Sequence, residues 1–195
     1  MFVQTNEHLN MKSDQVISPR VFFSSGHLNG EDVVYESKRL SELAGLFADR
    51  AAAEEMDGNL PVYEVYSWIP VPQGTEGGLF FGLTNLHPGL VGSEYFMTKG
   101  HFHAIENRGE YYWCIQGEGI LLLMDKQRET RAERMFPGTL HYIPGYTAHR
   151  VVNTGSRTLR FGACWPSDAG YNYDPIAADG FSVRVRKVGK VPVLG

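Results

Sequence analysis

From Pro61 onward, apolar and polar positions alternate in short runs that are separated by glycine, proline or asparagine. Alternation with a period of two, bounded by turn-forming residues, is typical of β-strands. The pattern predicts strands at Val62–Tyr66, Gly78–Thr84, Glu94–Met97, Gly109–Gln116, Gly119–Met124, Ala132–Met135, Leu140–Ile143, His149–Asn153, Leu159–Cys164 and Ser182–Val188. Many short strands at regular spacing indicate a sandwich or a barrel, so we expect an all-β fold.

One segment before Pro61 has helical spacing instead. Apolar residues recur three or four positions apart from Leu40 to Ala51. This spacing predicts one amphipathic helix that begins at Ser37 or Ser41 and ends near Met56. No group with evident chemistry lies along it, so we expect it to cover the outside of a sheet.

No shift in composition divides the 195 residues into separate units. We expect a single domain in which residues 1–60 form an N-terminal arm and helix, packed on a barrel of residues 61–195. Two glycine-containing turns, Gln116–Gly119 and Asn153–Ser156, are predicted to close β-hairpins.

Composition narrows the function classes. The 18 basic and 22 acidic residues are mixed along the chain, and the net charge is -4. The chain has no block of basic residues, so we do not expect it to bind nucleic acid. No apolar run approaches the roughly 18 residues of a membrane span. Residues 1–10 lack the layout of a secretion signal, so we expect a cytoplasmic protein. Cys114 and Cys164 have no CxxC spacing and are expected to be reduced thiols.

The candidate chemistry lies in the run Thr98–His103 and in two later residues. His101 and His103 are two positions apart, so in an extended chain their rings project to the same face. Glu110 follows a predicted turn and can face back inward from the next strand. His149 comes after the corner Pro144–Gly145 and opens an apolar strand. Three imidazoles and one carboxylate suit Fe(II), Mn(II), Zn(II) or Ni(II) and leave room for substrate.

These residues carry a family resemblance. Gly138, Pro144, His149 and Asn153 resemble the second cupin motif, and Glu110–Gly117 is similar to the end of the first. Two spacings differ from the usual cupin pattern. Glu110 follows His103 by seven residues, and the glycine of the second motif is displaced to Gly145.

The longer interval between His103 and Glu110 occurs in one cupin subgroup that this chain resembles, the cupin-type glucose-6-phosphate isomerases of archaea and some bacteria. The similarity extends over about residues 60 to 190 and includes Glu94–His103, Pro137–Thr139, Ala148–Arg150, Asn153–Gly155 and Asp168–Gly170. The resemblance implies a cupin double-stranded β-helix, also called a jelly-roll barrel. It also implies that the chain interconverts glucose 6-phosphate and fructose 6-phosphate, in glycolysis or gluconeogenesis.

Carried over residue by residue, the resemblance implies one divalent metal ion per subunit, foremost Fe(II), held by His101, His103, Glu110 and His149. It places Thr84, Thr98, Gly100, Tyr112 and Tyr173 near the sugar phosphate, and the relatives imply a homodimer. We expect an enediol mechanism, because moving a proton between C1 and C2 needs a base and a stabilised oxyanion. Glu110 is the expected base and Tyr112 the proton donor to the oxygens.

This chain departs from the family at two positions. Where the relatives often have a tyrosine before the proline and a histidine after Asp-Ala-Gly, it has Trp165 and Tyr171. Two other functions therefore stay open, a cupin dioxygenase with similar metal ligands and a sugar-phosphate-binding cupin without activity. The run Thr98–Gly100 and Thr84 favour the phosphosugar ligand. Lys99 is an open candidate for the phosphate, and a hydride shift competes with the enediol.

Overall fold

The protein is described from a computed structural model, which covers residues 20–24 and 26–195. Its strands are β1 (Val21–Ser24), β2 (His27–Gly30), β3 (Val33–Arg39), β4 (Pro61–Trp68), β5 (Leu79–Leu86), β6 (Leu90–Val91), β7 (Glu94–Tyr95), β8 (Glu110–Gln116), β9 (Gly119–Met124), β10 (Thr130–Met135), β11 (Leu140–Ile143), β12 (Ala148–Asn153), β13 (Leu159–Pro166), β14 (Val185–Val188) and β15 (Val191–Leu194). The helices are α1 (Leu40–Leu43), α2 (Arg50–Glu54) and α3 (Asp174–Asp179). Strands dominate, so the predicted all-β fold is confirmed.

The strands form two layers around one core. A six-stranded sheet has the order β11-β8-β13-β5-β4-β3, and a three-stranded sheet has the order β10-β9-β12. A four-stranded sheet, β15-β14-β7-β6, and the β1-β2 pair complete the described part of the chain. The largest cluster of buried side chains joins residues of both main sheets, such as Leu121, Val151 and Phe161. Burial of this apolar surface is the main force that holds the layers together.

The register of the six-stranded sheet aligns residues that matter for the site. Glu36 pairs with Val65, Val65 with Thr84, and Thr84 with Phe161. Directly paired residues lie on the same face of a sheet, so these four side chains form one row across four strands. The row faces the core side, where Phe161 is buried.

Strands β9 and β12 are buried along their whole length. β9 reads Gly-Ile-Leu-Leu-Leu-Met, the continuous apolar run expected when both faces are covered. β12 is different, because it buries His149, Arg150 and Asn153. The Asn153 side chain is fully hydrogen-bonded, since its amide donates to the carbonyls of Leu86 and Arg157. Its role is therefore to hold the strand end.

The predicted single helix is wrong in detail. Ser37 lies in β3, which is the edge strand of the six-stranded sheet, and the helical residues divide into α1, a 3₁₀ turn at Ala44–Leu46, and α2. Phe47 interrupts them with an extended backbone, φ -80° and ψ 146°. The Asp49 carboxylate then accepts a hydrogen bond from the Ala52 N–H and starts α2 anew. Burial of Phe47 outweighs the weak helical preference of the segment.

The two predicted hairpin turns are also wrong. Gln116–Gly119 connects β8 to β9, and Asn153–Ser156 connects β12 to β13, yet β9 and β12 pair with each other in the smaller sheet. Both turns therefore cross between the two layers. The continuous apolar run of β9 is thereby buried in the smaller sheet, between β10 and β12.

Five strands were not predicted: β1, β2, β3, β6 and β15. Cys114 and Cys164 are free thiols, as expected. Among the helices of the described residues, none has the length and apolar character needed to cross a membrane.

Candidate metal centre and its cavity

A cavity of about 420 Å³ opens on the inner face of the six-stranded sheet. Strands β3, β4, β5, β8 and β13 form one wall, and the segment Thr98–His101 with Tyr171 and Tyr173 forms the other. All the sequence-predicted substrate residues line this one cavity, namely Thr84, Thr98, Gly100, Tyr112 and Tyr173. The fold therefore brings together residues that are up to 89 positions apart in the chain (173 − 84).

Four predicted metal ligands meet at the base of this cavity. Glu110 is the first residue of β8, and His149 is the second residue of β12. His101 is held beside His149 by two backbone hydrogen bonds, of 3.3 and 3.1 Å. One ligand atom from each of His101, His103, Glu110 and His149 lies within 4.8 Å of the other three. The spacing of the histidines and the seven-residue interval between His103 and Glu110 thus bring the four candidate ligand atoms together.

Two of the rings are oriented by main-chain carbonyls. His103 Nδ1 donates to the carbonyl oxygen of Arg108 at 2.8 Å, and His149 Nδ1 donates to that of Thr147 at 3.4 Å. A carbonyl oxygen only accepts, so the proton is assigned to Nδ1 in both rings. The lone pair of Nε2 is then directed at the centre. This arrangement, with one ring nitrogen anchored, is typical of histidines that bind metal ions.

The four atoms fit a cation. His149 Nε2 lies 2.6 Å from Glu110 Oε1, and His103 Nε2 lies 3.6 Å from the same oxygen. With both Nδ1 atoms protonated, these are contacts between acceptors, which repel each other unless a positive charge lies among them. Within the described residues, none of the four ligand atoms has a hydrogen-bond partner. Buried hydrogen-bond acceptors that have no donor are unfavourable. A divalent cation among these four ligand atoms would remove that cost.

The electrostatics favour a neutral His101 and an ionised Glu110, whereas the contact with Glu110 outweighs burial and raises the pKa of His103. Burial and the neighbouring His149 hold the pKa of His101 well below its usual value, so its ring is neutral at physiological pH. Burial opposes ionisation of Glu110, but His149 and His103 outweigh it and lower the pKa of this carboxyl. Burial, with the charge of Glu110, raises the pKa of Tyr112 well above its usual value, so the phenol keeps its proton. Neutral imidazoles and an ionised carboxylate are the forms that bind metal ions.

An ion pair braces the loop behind His103. The guanidinium of Arg108 forms two hydrogen bonds with the Asp168 carboxylate, at 2.9 and 2.7 Å. Such two-point pairs fix orientation as well as adding energy. Because the carbonyl of Arg108 accepts the hydrogen bond from His103, the pair connects a metal ligand with the loop that leads to Tyr171.

Sequence reasoning missed the charged residues that β3 contributes. Glu36 and Lys38 line the cavity, and Lys38 Nζ lies 3.7 Å from both Glu36 and Glu42. The sequence does indicate this strand, because β3 begins with Val33, Val34 and Tyr35, which are residue types that favour β-structure. The helical pattern that begins at Leu40 concealed it.

The two family departures lie on the cavity wall. Trp165 packs edge-on against Phe80 with ring centres 6.0 Å apart. Tyr171 stacks on Tyr173 at 5.8 Å and meets the ring of His101 edge-on at 4.8 Å.

Together, the two-layer β-fold and the cluster of three histidines and one carboxylate, a candidate metal site, place the chain in the class of cupins. A family model described as Glucose-6-phosphate isomerase (GPI) matches residues 37–192. The chain belongs to the cupin-type glucose-6-phosphate isomerase family, and the predicted family and enzyme class are confirmed.

Individual relatives agree. A glucose-6-phosphate isomerase of Thermococcus litoralis is 41% identical over 186 residues, which cover 94% of this chain and 96% of the relative. One of Thermococcus kodakarensis is 45% identical over 159 residues, 80% of this chain and 83% of the relative. Among solved structures, an oxalate decarboxylase of Bacillus subtilis aligns with 56% of this chain and 26% of that chain, at 21% identity and a TM-score of 0.43, and nothing about function follows from it.

Proposed function

We propose that this chain is a metal-dependent isomerase that interconverts glucose 6-phosphate and fructose 6-phosphate through an enediol. The observation that carries the proposal is the convergence of four buried ligand atoms at the base of a cavity whose other lining residues suit a phosphosugar. We further propose that it acts in the cytoplasm, in glycolysis or gluconeogenesis, because both hexose phosphates occur in these pathways.

His101, His103, Glu110 and His149 would hold one divalent ion per subunit, with Fe(II) the foremost candidate and Mn(II), Ni(II) or Zn(II) as alternatives. When bound, the ion supplies positive charge that stabilises negative charge on the substrate oxygens at C1 and C2.

Glu110 is the proposed base. Its carboxylate is buried and ionised, so it is in the form that accepts a proton. Tyr112 lines the same cavity, and its ring meets that of His149 edge-on at 5.7 Å. Because the raised pKa keeps its hydroxyl protonated, Tyr112 can donate a proton to a substrate oxygen. Together the two side chains would move protons at adjacent carbons and oxygens.

The remaining lining residues would hold the phosphate and the sugar. Thr84 and Thr98 contribute hydroxyls, Gly100 contributes a backbone N–H, and Tyr173 contributes a phenol. Lys99 Nζ lies 4.0 Å from the centre of the Tyr173 ring, which holds this cation at the cavity wall. One dianion can be bound by such neutral donors together with a single cation, so no large basic cluster is needed.

A coupled assay tests the activity and its metal dependence. Chelated protein should not convert fructose 6-phosphate to glucose 6-phosphate, and resupply of Fe(II), Mn(II), Ni(II) or Zn(II) in turn should restore turnover. Full activity without metal would contradict the metal-dependent mechanism. Inactivity with every metal would instead favour a binding protein.

Isotope transfer tests the enediol. With the reaction run in deuterated water, deuterium should appear at C2 of glucose 6-phosphate, because the proton on Glu110 exchanges with solvent. Complete retention of the substrate hydrogen would contradict the enediol and favour a hydride shift. The same measurement on Glu110→Gln should give neither turnover nor exchange.

We also propose a homodimer. Tyr111, Leu140 and Tyr142 are 49%, 66% and 54% exposed on the outer face of β8 and β11, and β11 is an edge strand. Tyr111 and Tyr142 pair across the strands with ring centres 5.3 Å apart. A continuous exposed apolar patch beside a sheet edge suits a symmetric contact with a second copy. Light scattering should show twice the monomer mass, and Tyr142→Lys should reduce it.

A further inference from the structure

Arg150 is a buried cation that forms no ion pair with any other residue that the structure describes. It follows the ligand His149 on β12, so its side chain points to the opposite face of the strand, and it is 4% exposed. Within the part of the chain that the structure describes, Arg150 forms no ion pair, and its Nε has no hydrogen-bond partner. The nearby carboxylate of Glu94 is already bonded to Arg184 at 2.7 Å and to the Ala48 N–H. A buried guanidinium without a counter-charge is unfavourable and needs an explanation.

The contacts of Arg150 are with the loop Thr98–Gly100, on the side away from the cavity. Its Nη2 donates to the carbonyl oxygen of Lys99 at 2.7 Å, and the ring of Phe181 lies 4.6 Å from the guanidinium carbon. Gly100 has φ +72°, and a Cβ built on it would lie 2.8 Å from the Phe181 ring and 3.1 Å from Arg150 Nε. The loop backbone therefore rests directly on the guanidinium, and only glycine fits there.

This contact determines where the next N–H points. The Lys99 carbonyl and the Gly100 N–H belong to one peptide unit, and in a trans peptide they point in opposite directions. A carbonyl held toward Arg150 thus directs the Gly100 N–H to the other side, where Gly100 lines the cavity. Among the described residues, none accepts a hydrogen bond from this N–H. A charged donor on the carbonyl also polarises the peptide, which makes the N–H a better donor.

We propose that Arg150 is a positioning residue for the phosphate of the substrate. It holds the Lys99–Gly100 peptide so that the Gly100 N–H donates to a phosphate oxygen, and it supplies buried positive charge behind that contact. Arg150 does not itself line the cavity, so it acts through the loop. This inference rests on the proposed function, because it takes the cavity to bind a sugar phosphate.

The test compares two inhibitors that differ only in the phosphate, sorbitol 6-phosphate and sorbitol, on metal-loaded enzyme. In Arg150→Met, the inhibition constant of sorbitol 6-phosphate and the KM of fructose 6-phosphate should rise by about tenfold or more, the usual loss for a hydrogen bond with a charged group. The inhibition constant of sorbitol should change by less than about twofold, because the proposal assigns the Gly100 N–H to the phosphate, which sorbitol lacks. Arg150→Lys keeps the charge and should recover part of the affinity for sorbitol 6-phosphate.

Arg184→Met is the matched control. Arg184 is a cation of the same cluster, but it bonds to Glu94 and to the Leu46 carbonyl rather than to the loop. Its loss should lower thermal stability and leave the ratio of the two inhibition constants unchanged. If Arg150→Met does not fold, Phe181→Leu provides the comparison, and it should weaken sorbitol 6-phosphate alone by about two- to fourfold.

Two outcomes would overturn the inference. One is an unchanged inhibition constant for sorbitol 6-phosphate in Arg150→Met. The other is an equal loss for both inhibitors, which would show a general structural role. Measurements on the wild-type enzyme distinguish a failure of this inference from a failure of the proposed function. If wild type neither turns over fructose 6-phosphate nor prefers sorbitol 6-phosphate to sorbitol, then the proposed function itself fails.

Discussion

The two ends of the cavity are built in contrasting ways. The metal wall, formed by the candidate ligands His101, His103, Glu110 and His149, is largely buried, and main-chain carbonyls orient two of its three rings. The β3 rim, formed by Glu36 and Lys38, has side chains that are 63% and 35% exposed and joined by ion pairs of 3.7 Å. Such solvated pairs contribute about 0 to 1 kcal/mol. One end is therefore held in place, as the proposed chemistry at a defined atom requires, and the other end can adjust to the proposed phosphosugar.

The largest effect should come from the metal wall. His149→Ala removes one ligand, and kcat/KM should fall by about a thousandfold or more, because charge stabilisation at the reacting oxygens depends on the complete set. Metal content by elemental analysis should fall with it.

His141→Ala is the matched control for this loss. His141 is equally buried, but its ring bonds to Glu133 at 2.8 Å and to Thr139 at 2.9 Å. Its removal should lower the melting temperature and leave the metal content intact. Metal loss in both variants would mean that buried histidines here act only through stability.

A smaller effect is expected behind the metal wall. Arg108→Ala breaks the brace to Asp168, and the affinity for the metal should fall by about tenfold, the lower end for groups that support a ligand. Asp168→Ala should give the same loss, and the double variant should be no worse than either one. Additive losses, measured by competition with a chelator, would contradict a shared role.

The same brace predicts a pH dependence. Hydrogen bonds from Arg108 lower the pKa of Asp168, so the pair stabilises the fold above the unfolded carboxyl value, about pH 4. The difference in melting temperature between wild type and Asp168→Ala should be constant through neutral pH and shrink as pH falls below about 4. If this difference in melting temperature increased toward low pH, the result would contradict a stabilising Arg108–Asp168 pair.

The β3 rim should give a still smaller effect. Lys38→Ala should raise the KM for fructose 6-phosphate by about threefold with little change in kcat, because a half-exposed ammonium adds modest attraction for a dianion. Added salt should reduce the difference between the variants. Lys126→Ala is the control, since Lys126 pairs with Glu106 and does not line the cavity. Equal effects of both variants would reflect net charge alone.

The smallest effect is expected at Tyr171. Tyr171→His introduces the residue that the family resemblance leads us to expect there, and the ratio of KM values for the two hexose phosphates should shift by about twofold, since one stacking contact is lost and one polar group is gained. The metal content should stay the same. A change in metal content would place Tyr171 with the metal wall instead.

Much of this molecule was predictable because it depends on short-range spacing. The alternation of His101 and His103 and the turn before Glu110 specify which side chains face inward, and β9 and β11 have the predicted bounds. The candidate ligands were recognisable for the same reason. The division of the predicted helix into short pieces was not predictable. Apolar residues at helical spacing, such as Phe47, can also be buried from an extended backbone.

Local patterns in the sequence predicted the all-β class and the four candidate ligands. Tertiary contacts place β3 in the six-stranded sheet beside β4, make two turns cross between the layers, and bury Arg150 behind the loop Thr98–Gly100. The physical reason is that local spacing sets the direction of a side chain, whereas strand pairing and burial depend on which distant surfaces must cover each other. Strand pairing places Glu36 and Lys38 beside residues that are 25 or more positions away, and Arg150 contacts Lys99, which is 51 positions away.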